Sequence, residues 1–140
     1  MHPLYERAHR LTQNMIGAAI EVHRELGPGL IESIYERCLI HELQLRGFAC
    51  EKQQIVHVHY KNLTFEEELK YDVLVEKCLL LELKAVESVA PIHQAKLLSY
   101  MKLLNIPVGL LINFHELRLV DGIRRMVLRG ADKLGESGDV

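Results

Sequence analysis

The stretch YDVLVEKCLLLELKA at residues 71–85 reads as two apolar strands separated by the polar pair Glu76-Lys77, and three further charged residues lie within the strands: Asp72, Glu82 and Lys84. Burying an unpaired charge costs on the order of several kcal/mol, so charges kept together in apolar strands usually serve a purpose. Metal-assisted hydrolysis of a phosphodiester uses this set of groups: carboxylates that hold a divalent cation, and an amine that stabilises developing negative charge. The stretch is therefore the first candidate for a catalytic site.

The spacing of these residues determines whether they can act together. Alternate side chains of a strand share a face, so Glu82 and Lys84 point the same way, with Cβ atoms about 6.5–7 Å apart. If three residues form the preceding turn, Val75 pairs with Leu79 and Asp72 lies opposite Glu82. Carboxylates about 4.5–5.5 Å apart repel each other, and a bound Mg²⁺ would turn that repulsion into a binding site. A turn of two or four residues would instead send the two carboxylates to different faces.

A structural interpretation of the Glu-x-Lys pattern and two other candidate sites must be weighed against a metal site. A Glu-x-Lys pattern on a strand is also typical of a solvated face with a weak ion pair. His57 and His59 share a strand face, but no third metal ligand is placed near them, and we expect both to be partly exposed. Three arginines form a basic cluster that could line a phosphate-binding surface or simply face solvent: Arg124, Arg125 and Arg129.

Composition limits the class of protein. The chain has 140 residues, 49% of them hydrophobic, and a formal net charge of −2, which predicts one soluble domain and excludes a globally basic nucleic-acid binder. Cys38, Cys50 and Cys78 have no CxxC spacing, which favours reduced thiols over disulfides or a structural zinc. No signal peptide and no apolar run of about 18–20 residues is present, so we expect a cytoplasmic protein without a membrane span.

Hydrophobic periodicity predicts the elements that position the three charges. A helix is expected from about Pro3 to Leu26 and a second from about Leu30 to Arg46, with a stop at the intervening GPG. Three antiparallel strands, a helix, a buried parallel strand and a hairpin around residues 121–122 follow. This order predicts an α/β domain with a mixed sheet over residues 1–130, followed by a polar tail at 131–140.

Several motifs occur together in a recognisable order. The segment GLIESIY at residues 29–35 fits the pattern GxxExxY, and it is followed by YDVLVE, LELKA, HQAKLLSY, VGLLINF and IRRMVL. Over roughly residues 10–129 the chain resembles the GxxExxY protein family, which is placed in the PD-(D/E)XK nuclease superfamily. The resemblance implies a restriction-endonuclease-like core of order α-β-β-β-α-β. The N-terminal helix and the C-terminal β-hairpin that hydrophobic periodicity predicts would be additions to that core.

The resemblance also implies roles for individual residues. Asp72 and Glu82 would be ligands of Mg²⁺ or Mn²⁺, Lys84 the active-site lysine, and Glu32 an additional acidic residue supplied by the helix before the sheet. Tyr35 lies one helical turn after Glu32 and could orient that carboxylate or contact substrate. It could equally be a core aromatic residue whose hydroxyl is hydrogen-bonded.

One position departs from the family pattern. Many relatives carry glutamine where this chain has Lys96, which is expected to face the sheet edge together with Tyr100, four residues later. Lysine loses the acceptor of glutamine but can contact a phosphate of the substrate. The sequence thus predicts a metal-dependent nuclease acting on nucleic acid, as a homodimer or with a partner protein. The alternative is a catalytically silent nuclease-fold protein that serves as a binding or assembly module.

Overall fold

A computed structural model describes residues 1–133 as a five-stranded mixed sheet with helices on both faces. Its elements are α1 (Tyr5–Leu26), α2 (Glu32–Leu45), β1 (Cys50–Tyr60), β2 (Leu63–Val75), β3 (Leu79–Lys84), α3 (Pro91–Leu104), β4 (Val108–Asn113) and β5 (Ile123–Val127). The strand order is β1-β2-β3-β4-β5; β3 and β4 are parallel, and the other neighbours are antiparallel. The predicted α/β class and mixed sheet are confirmed.

The two faces of β3 have different surroundings. Alternate leucines of this strand pack beneath α1 and α2 in the larger core: Leu79, Leu81 and Leu83. Leu80 instead joins the second core, to which α3 contributes. Because side chains alternate along a strand, Glu82 and Lys84 share the face of Leu80 and point toward α3.

Gly109 of β4 allows α3 to lie close to the sheet. A Cβ atom at this position would lie 2.7 Å from Sδ of Met101 and 3.1 Å from a methyl carbon of Leu97, both on α3. No ordinary side chain fits in that space. The missing side chain therefore brings α3, and the polar residues it carries, near the charged end of β3.

The predicted C-terminal hairpin is wrong. The residues before Asp121 form no strand; Leu119–Gly122 is a 3₁₀ turn, and β5 pairs directly with β4. A Cβ on Gly122 would lie 2.5 Å from the carbonyl oxygen of Asn113, so the turn packs tightly over the end of β4. By pairing with the open edge of β4, the apolar residues of β5 gain a buried neighbouring strand. An isolated two-stranded hairpin in solvent would leave these residues exposed.

The predicted polar tail at residues 131–140 begins with a buried residue. Ala131 is fully buried, and its carbonyl oxygen accepts a hydrogen bond of 2.8 Å from the N–H of His2. Ala131 is thereby tied to the N-terminal end of the chain. The remainder of the predicted tail, residues 134–140, lies outside the described residues.

Candidate active site

The turn between β2 and β3 determines the register of the two strands that carry the charges. It contains three residues, of which Glu76 and Lys77 adopt positive φ angles of 51° and 58°. Val75 pairs with Leu79, as a three-residue turn predicts, and the ladder ends two pairs later, at Val73. Asp72 is the next residue along β2 and lies at the point where the strands separate.

A bulge releases Asp72 from the regular ladder. The register of β1 against β2 shifts beside it, where residues 71–73 of β2 lie opposite a single residue of β1. Oδ2 of Asp72 accepts a hydrogen bond of 2.7 Å from the backbone N–H of Leu83. In a regular ladder that N–H would donate to a backbone carbonyl of β2, so the carboxylate takes the place of a backbone acceptor. This bond anchors the carboxylate between β2 and β3.

Glu82 is a buried carboxylate with two ammonium groups beside it. Its side chain is only 3% exposed, and its Oε1 lies 3.6 Å from Nζ of Lys84 and 3.5 Å from Nζ of Lys96. The lysines compensate a charge that would be unfavourable if it were buried alone. Lys84 extends from the same strand face, whereas Lys96 reaches across from α3.

Asp72 experiences a strongly acidic environment. Burial raises the pKa of Asp72 to about 6; the Leu83 hydrogen bond opposes this, and the charges of Glu82, Glu36 and Glu32 add to it. A carboxylate with such a pKa gains from a nearby cation more than an ordinary surface carboxylate does. Asp72 is therefore coupled to the charge of Glu82, which in turn lies beside Lys84.

Glu36 was missed by the sequence reasoning. It lies four residues after Glu32 on α2. The charge of Glu36 raises the pKa of Asp72 more strongly than the charge of Glu32 does. It is also paired with Lys52 of β1 at 2.7 Å. The i, i+4 spacing from Glu32 was the available signal, because residues so spaced share a helix face.

Tyr35 lies in the core of the protein, beneath the loop that leads into α2. It is fully buried and stacks on Phe114 with ring centroids 4.6 Å apart. Its hydroxyl donates a hydrogen bond of 2.5 Å to the carbonyl of Gly27 and accepts one of 3.1 Å from the N–H of Leu30. Of the two interpretations of Tyr35, the core aromatic with a satisfied hydroxyl is the one observed. The residue holds the loop that precedes Glu32, the first residue of α2.

Lys96 and Tyr100 lie together on α3, with Nζ of Lys96 5.4 Å from the centre of the tyrosine ring. Burial alone would lower the pKa of Lys96, but the charges of Glu82, Tyr100 and Asp72 outweigh it and raise the pKa. Lys96 is therefore held in its charged form beside the candidate site. Its contact with Glu82 could not be predicted from the sequence, because it depends on how closely α3 packs on the sheet.

Asn113 is a second residue that the sequence reasoning missed. It is buried at the end of β4, directly opposite Lys84 in the parallel ladder. Its side chain accepts hydrogen bonds from the N–H groups of Val86 and His115, at 3.1 and 3.2 Å, and donates one of 2.8 Å to the carbonyl of Val86. Asn113 thus holds the chain where it leaves β3, just after Lys84. A single amide ending the apolar run VGLLINF was the signal.

Two histidines and one arginine among the other candidates make contacts with residues outside this site. His57 and His59 are exposed on β1 and contact residues of the neighbouring strand, Glu66 and Thr64. Arg125 contacts the hydroxyl of Tyr5 on α1. These residues are occupied elsewhere on the surface.

The donor set matches a particular kind of metal site. Within residues 1–133, no group of three or more His, Cys, Asp or Glu side chains is arranged to hold a metal ion, so Glu32 is not assembled with Asp72 and Glu82 into a closed cage. Mg²⁺ does not require one, since it is commonly bound by one or two carboxylates together with water and substrate phosphates. Asp72 and Glu82 fit that open arrangement.

Comparison with known proteins identifies the class to which this chain belongs. A family model described as PD-(D/E)XK nuclease superfamily matches residues 9–126. The chain therefore belongs to the PD-(D/E)XK nuclease superfamily, and its mixed sheet and helices are consistent with the restriction-endonuclease-like fold. No curated protein and no solved structure matches the chain at a significant level.

Membership carries general expectations about activity. It implies a nuclease-like function and association with nucleic acid, and nucleases of this superfamily generally use divalent metal ions. Across residues 1–133, the helices are all too short or too polar to cross a membrane.

Proposed function

We propose that this protein is a nuclease of the GxxExxY type that hydrolyses phosphodiester bonds of nucleic acid with Mg²⁺ or Mn²⁺. The observation that carries the proposal is the meeting of three groups where β2 and β3 separate. Asp72 is anchored there by the Leu83 N–H, and Glu82 lies beside Lys84 with its Oε1 3.6 Å from the ammonium nitrogen. Superfamily membership supports the same reaction.

Each residue has a distinct role in this proposal. Asp72 and Glu82 would hold the cation, which when bound supplies Lewis-acid activation of the phosphodiester. Lys84, whose side chain is 16% exposed, is positioned to stabilise negative charge that develops on the phosphate or the attacking water. Glu32 and Glu36 increase the negative potential around Asp72 and so favour a cation there.

The remaining predicted contacts concern the substrate. Lys96 and Tyr100 lie on the α3 side of the site, where the ammonium and hydroxyl groups can meet the phosphate backbone. Such contacts would position a strand without reading its sequence. We further propose that the three free cysteines reflect a cytoplasmic protein, and that a homodimer or a partner protein extends the surface that holds the substrate.

A cleavage assay tests the proposal. Labelled single-stranded DNA, duplex DNA, branched DNA and RNA would be incubated with the protein and Mg²⁺ or Mn²⁺, with wild type and Lys84→Ala purified identically. Loss of the Lys84 ammonium is expected to lower the cleavage rate about 10²–10³-fold. Lys70→Ala is the matched control, because Lys70 is 77% exposed on β2 and forms a long ion pair with Glu68, at 3.9 Å.

One observation favours a second candidate function, a nuclease-fold module that binds without cutting. Glu82 is already compensated by two lysines, and Lys96 replaces the glutamine common among relatives. Equal cleavage by wild type and Lys84→Ala would indicate a contaminating nuclease. That result, or no cleavage of any substrate together with retained binding of nucleic acid, would replace the nuclease proposal with the binding module.

A further inference from the structure

The two lysines beside Glu82 differ in how freely they can move. Lys84 belongs to the same strand as Glu82, and its side chain is only 16% exposed. Lys96 reaches Glu82 from α3, its side chain is 42% exposed, and its Nζ contacts Oε1 at 3.5 Å. Lys96 is therefore the member of this cluster that can swing into solvent.

The charges at the site also balance before any metal enters. Asp72 and Glu82 contribute two negative charges, and Lys84 and Lys96 contribute two positive charges. Among these four residues a divalent cation meets no net charge while Lys96 is in place, and the negative potential comes from Glu32 and Glu36 outside the cluster. If Lys96 moves away, the four-residue cluster keeps one net negative charge, and Oε1 of Glu82 loses one of its two ammonium neighbours while Lys84 remains at 3.6 Å.

We propose that Lys96 acts as a resident cation that competes with the divalent ion for Glu82 and must be displaced before the ion binds. This inference rests on the proposed function, because it takes Asp72 and Glu82 as the metal ligands. It assigns Lys96 the role of setting metal affinity, so the chain binds metal more weakly than the same chain with a neutral residue at position 96.

The ring of Tyr100 can hold the Lys96 ammonium group after it leaves Glu82. The ring of Tyr100 already lies 5.4 Å from Nζ of Lys96, and a lysine stem can rotate about four bonds while its ammonium stays near an aromatic face. From that position the ammonium remains next to the site and can face a phosphate. Displacement therefore moves the positive charge from the metal ligand toward the substrate.

Titration with Mn²⁺ measures this competition directly. Isothermal titration calorimetry would be carried out on the full chain at pH 7.5, for wild type, Lys96→Gln, Lys96→Arg and Asp72→Asn. An exposed ion pair changes an equilibrium by less than about fivefold, and the burial of Glu82 raises the expected effect of Lys96→Gln to about tenfold tighter Mn²⁺ binding. Lys96→Arg keeps the charge and is expected to bind within about twofold of wild type.

Controls separate this effect from a general change in surface charge. Lys70→Gln removes a lysine from an exposed ion pair on β2 and is expected to leave the Mn²⁺ affinity unchanged. Thermal denaturation provides a second readout: saturating Mn²⁺ is expected to raise the Tm of Lys96→Gln more than that of wild type. Both readouts are independent of nuclease activity.

The possible outcomes test the competition by Lys96 separately from the metal site formed by Asp72 and Glu82. If Lys96→Gln and wild type bind Mn²⁺ equally while Asp72→Asn loses binding, the competition is refuted and the metal site stands. If none of the variants binds Mn²⁺, the metal site itself is refuted, and the role of Lys96 with it. If Lys96→Gln binds about tenfold tighter and Lys96→Arg does not, the resident-cation role is supported.

Discussion

Replacing Asp72 by asparagine is expected to stabilise the metal-free protein while removing a proposed metal ligand. Burial raises the pKa of Asp72 from 3.8 to about 6, with a further contribution from nearby carboxylates. The folded protein therefore binds a proton at this residue more tightly than the unfolded chain does. Ionisation of Asp72 at neutral pH costs folding free energy that an amide would not.

The sign and size of the effect follow from this shift. The stabilisation that protonated Asp72 provides is fully present below pH 3.8 and is lost as the pH rises through about 6. Two pKa units correspond to about 3 kcal/mol, and solvent screening of this partly buried carboxylate reduces the expected effect to about 1–2 kcal/mol. The asparagine oxygen can still accept the Leu83 N–H, so the anchoring hydrogen bond is kept.

Urea denaturation in the presence of a chelator measures the difference. At pH 7.5 the free energy of unfolding of Asp72→Asn is expected to exceed that of wild type by about 1–2 kcal/mol, and at pH 4 the two should nearly coincide. Asp121→Asn, at an exposed position, serves as control and is expected to stay within about 0.5 kcal/mol of wild type at both pH values. An Asp72→Asn protein equally or less stable than wild type at pH 7.5 would refute the reasoning.

Five further substitutions test the framework that supports the site, each by thermal or urea denaturation. Tyr35→Phe removes two hydrogen bonds to the loop before α2 and is expected to cost about 1–2 kcal/mol. Tyr71→Phe deletes a buried hydroxyl that has no hydrogen-bond partner within residues 1–133, and is expected to be neutral or stabilising by up to about 1 kcal/mol. Equal effects of the two substitutions would contradict this distinction. Gly109→Ala forces a methyl group against α3 and is expected to cost about 1–3 kcal/mol. In Gly17→Ala, within α1, the new methyl group would make an ordinary contact of 3.6 Å with the Arg46 side chain, and the substitution is expected to stabilise by about 0.5–1 kcal/mol. A stable Gly109→Ala protein would show that α3 can shift. Asn113→Ala leaves buried backbone groups unpaired and is expected to cost about 2–3 kcal/mol, and a loss below about 0.5 kcal/mol would mean that water replaces the amide.

Local geometry made part of the site predictable. Side chains of a strand alternate, so the placement of Glu82 and Lys84 on one face needed only their spacing. The three-residue turn predicted that Val75 pairs with Leu79, and that register is observed. Hydrophobic periodicity likewise predicted both N-terminal helices to within a few residues of their observed bounds.

Predictions failed where two conformations were locally acceptable. The sequence around Asp121 is compatible with a hairpin, but the open edge of β4 and the close approach of Gly122 to that strand favour a 3₁₀ turn followed by β5. Tyr35 matched both a substrate contact and a core aromatic, and its burial against Phe114 decides for the core. In each case the deciding neighbour lies far away in the sequence.

The sequence by itself determined the residue types and their order along each element: two carboxylates and a lysine on adjacent strands, with an acidic helix before them. Only the tertiary structure decided how these groups meet. The bulge beside Asp72, the approach of Glu36 and the contact of Lys96 with Glu82 depend on packing between elements distant in the chain. The physical reason is the distance along the chain over which each feature is determined. The periods of strands and helices depend on the backbone angles of neighbouring residues. The distance between charges on different elements depends on the side chains that fill the core between those elements.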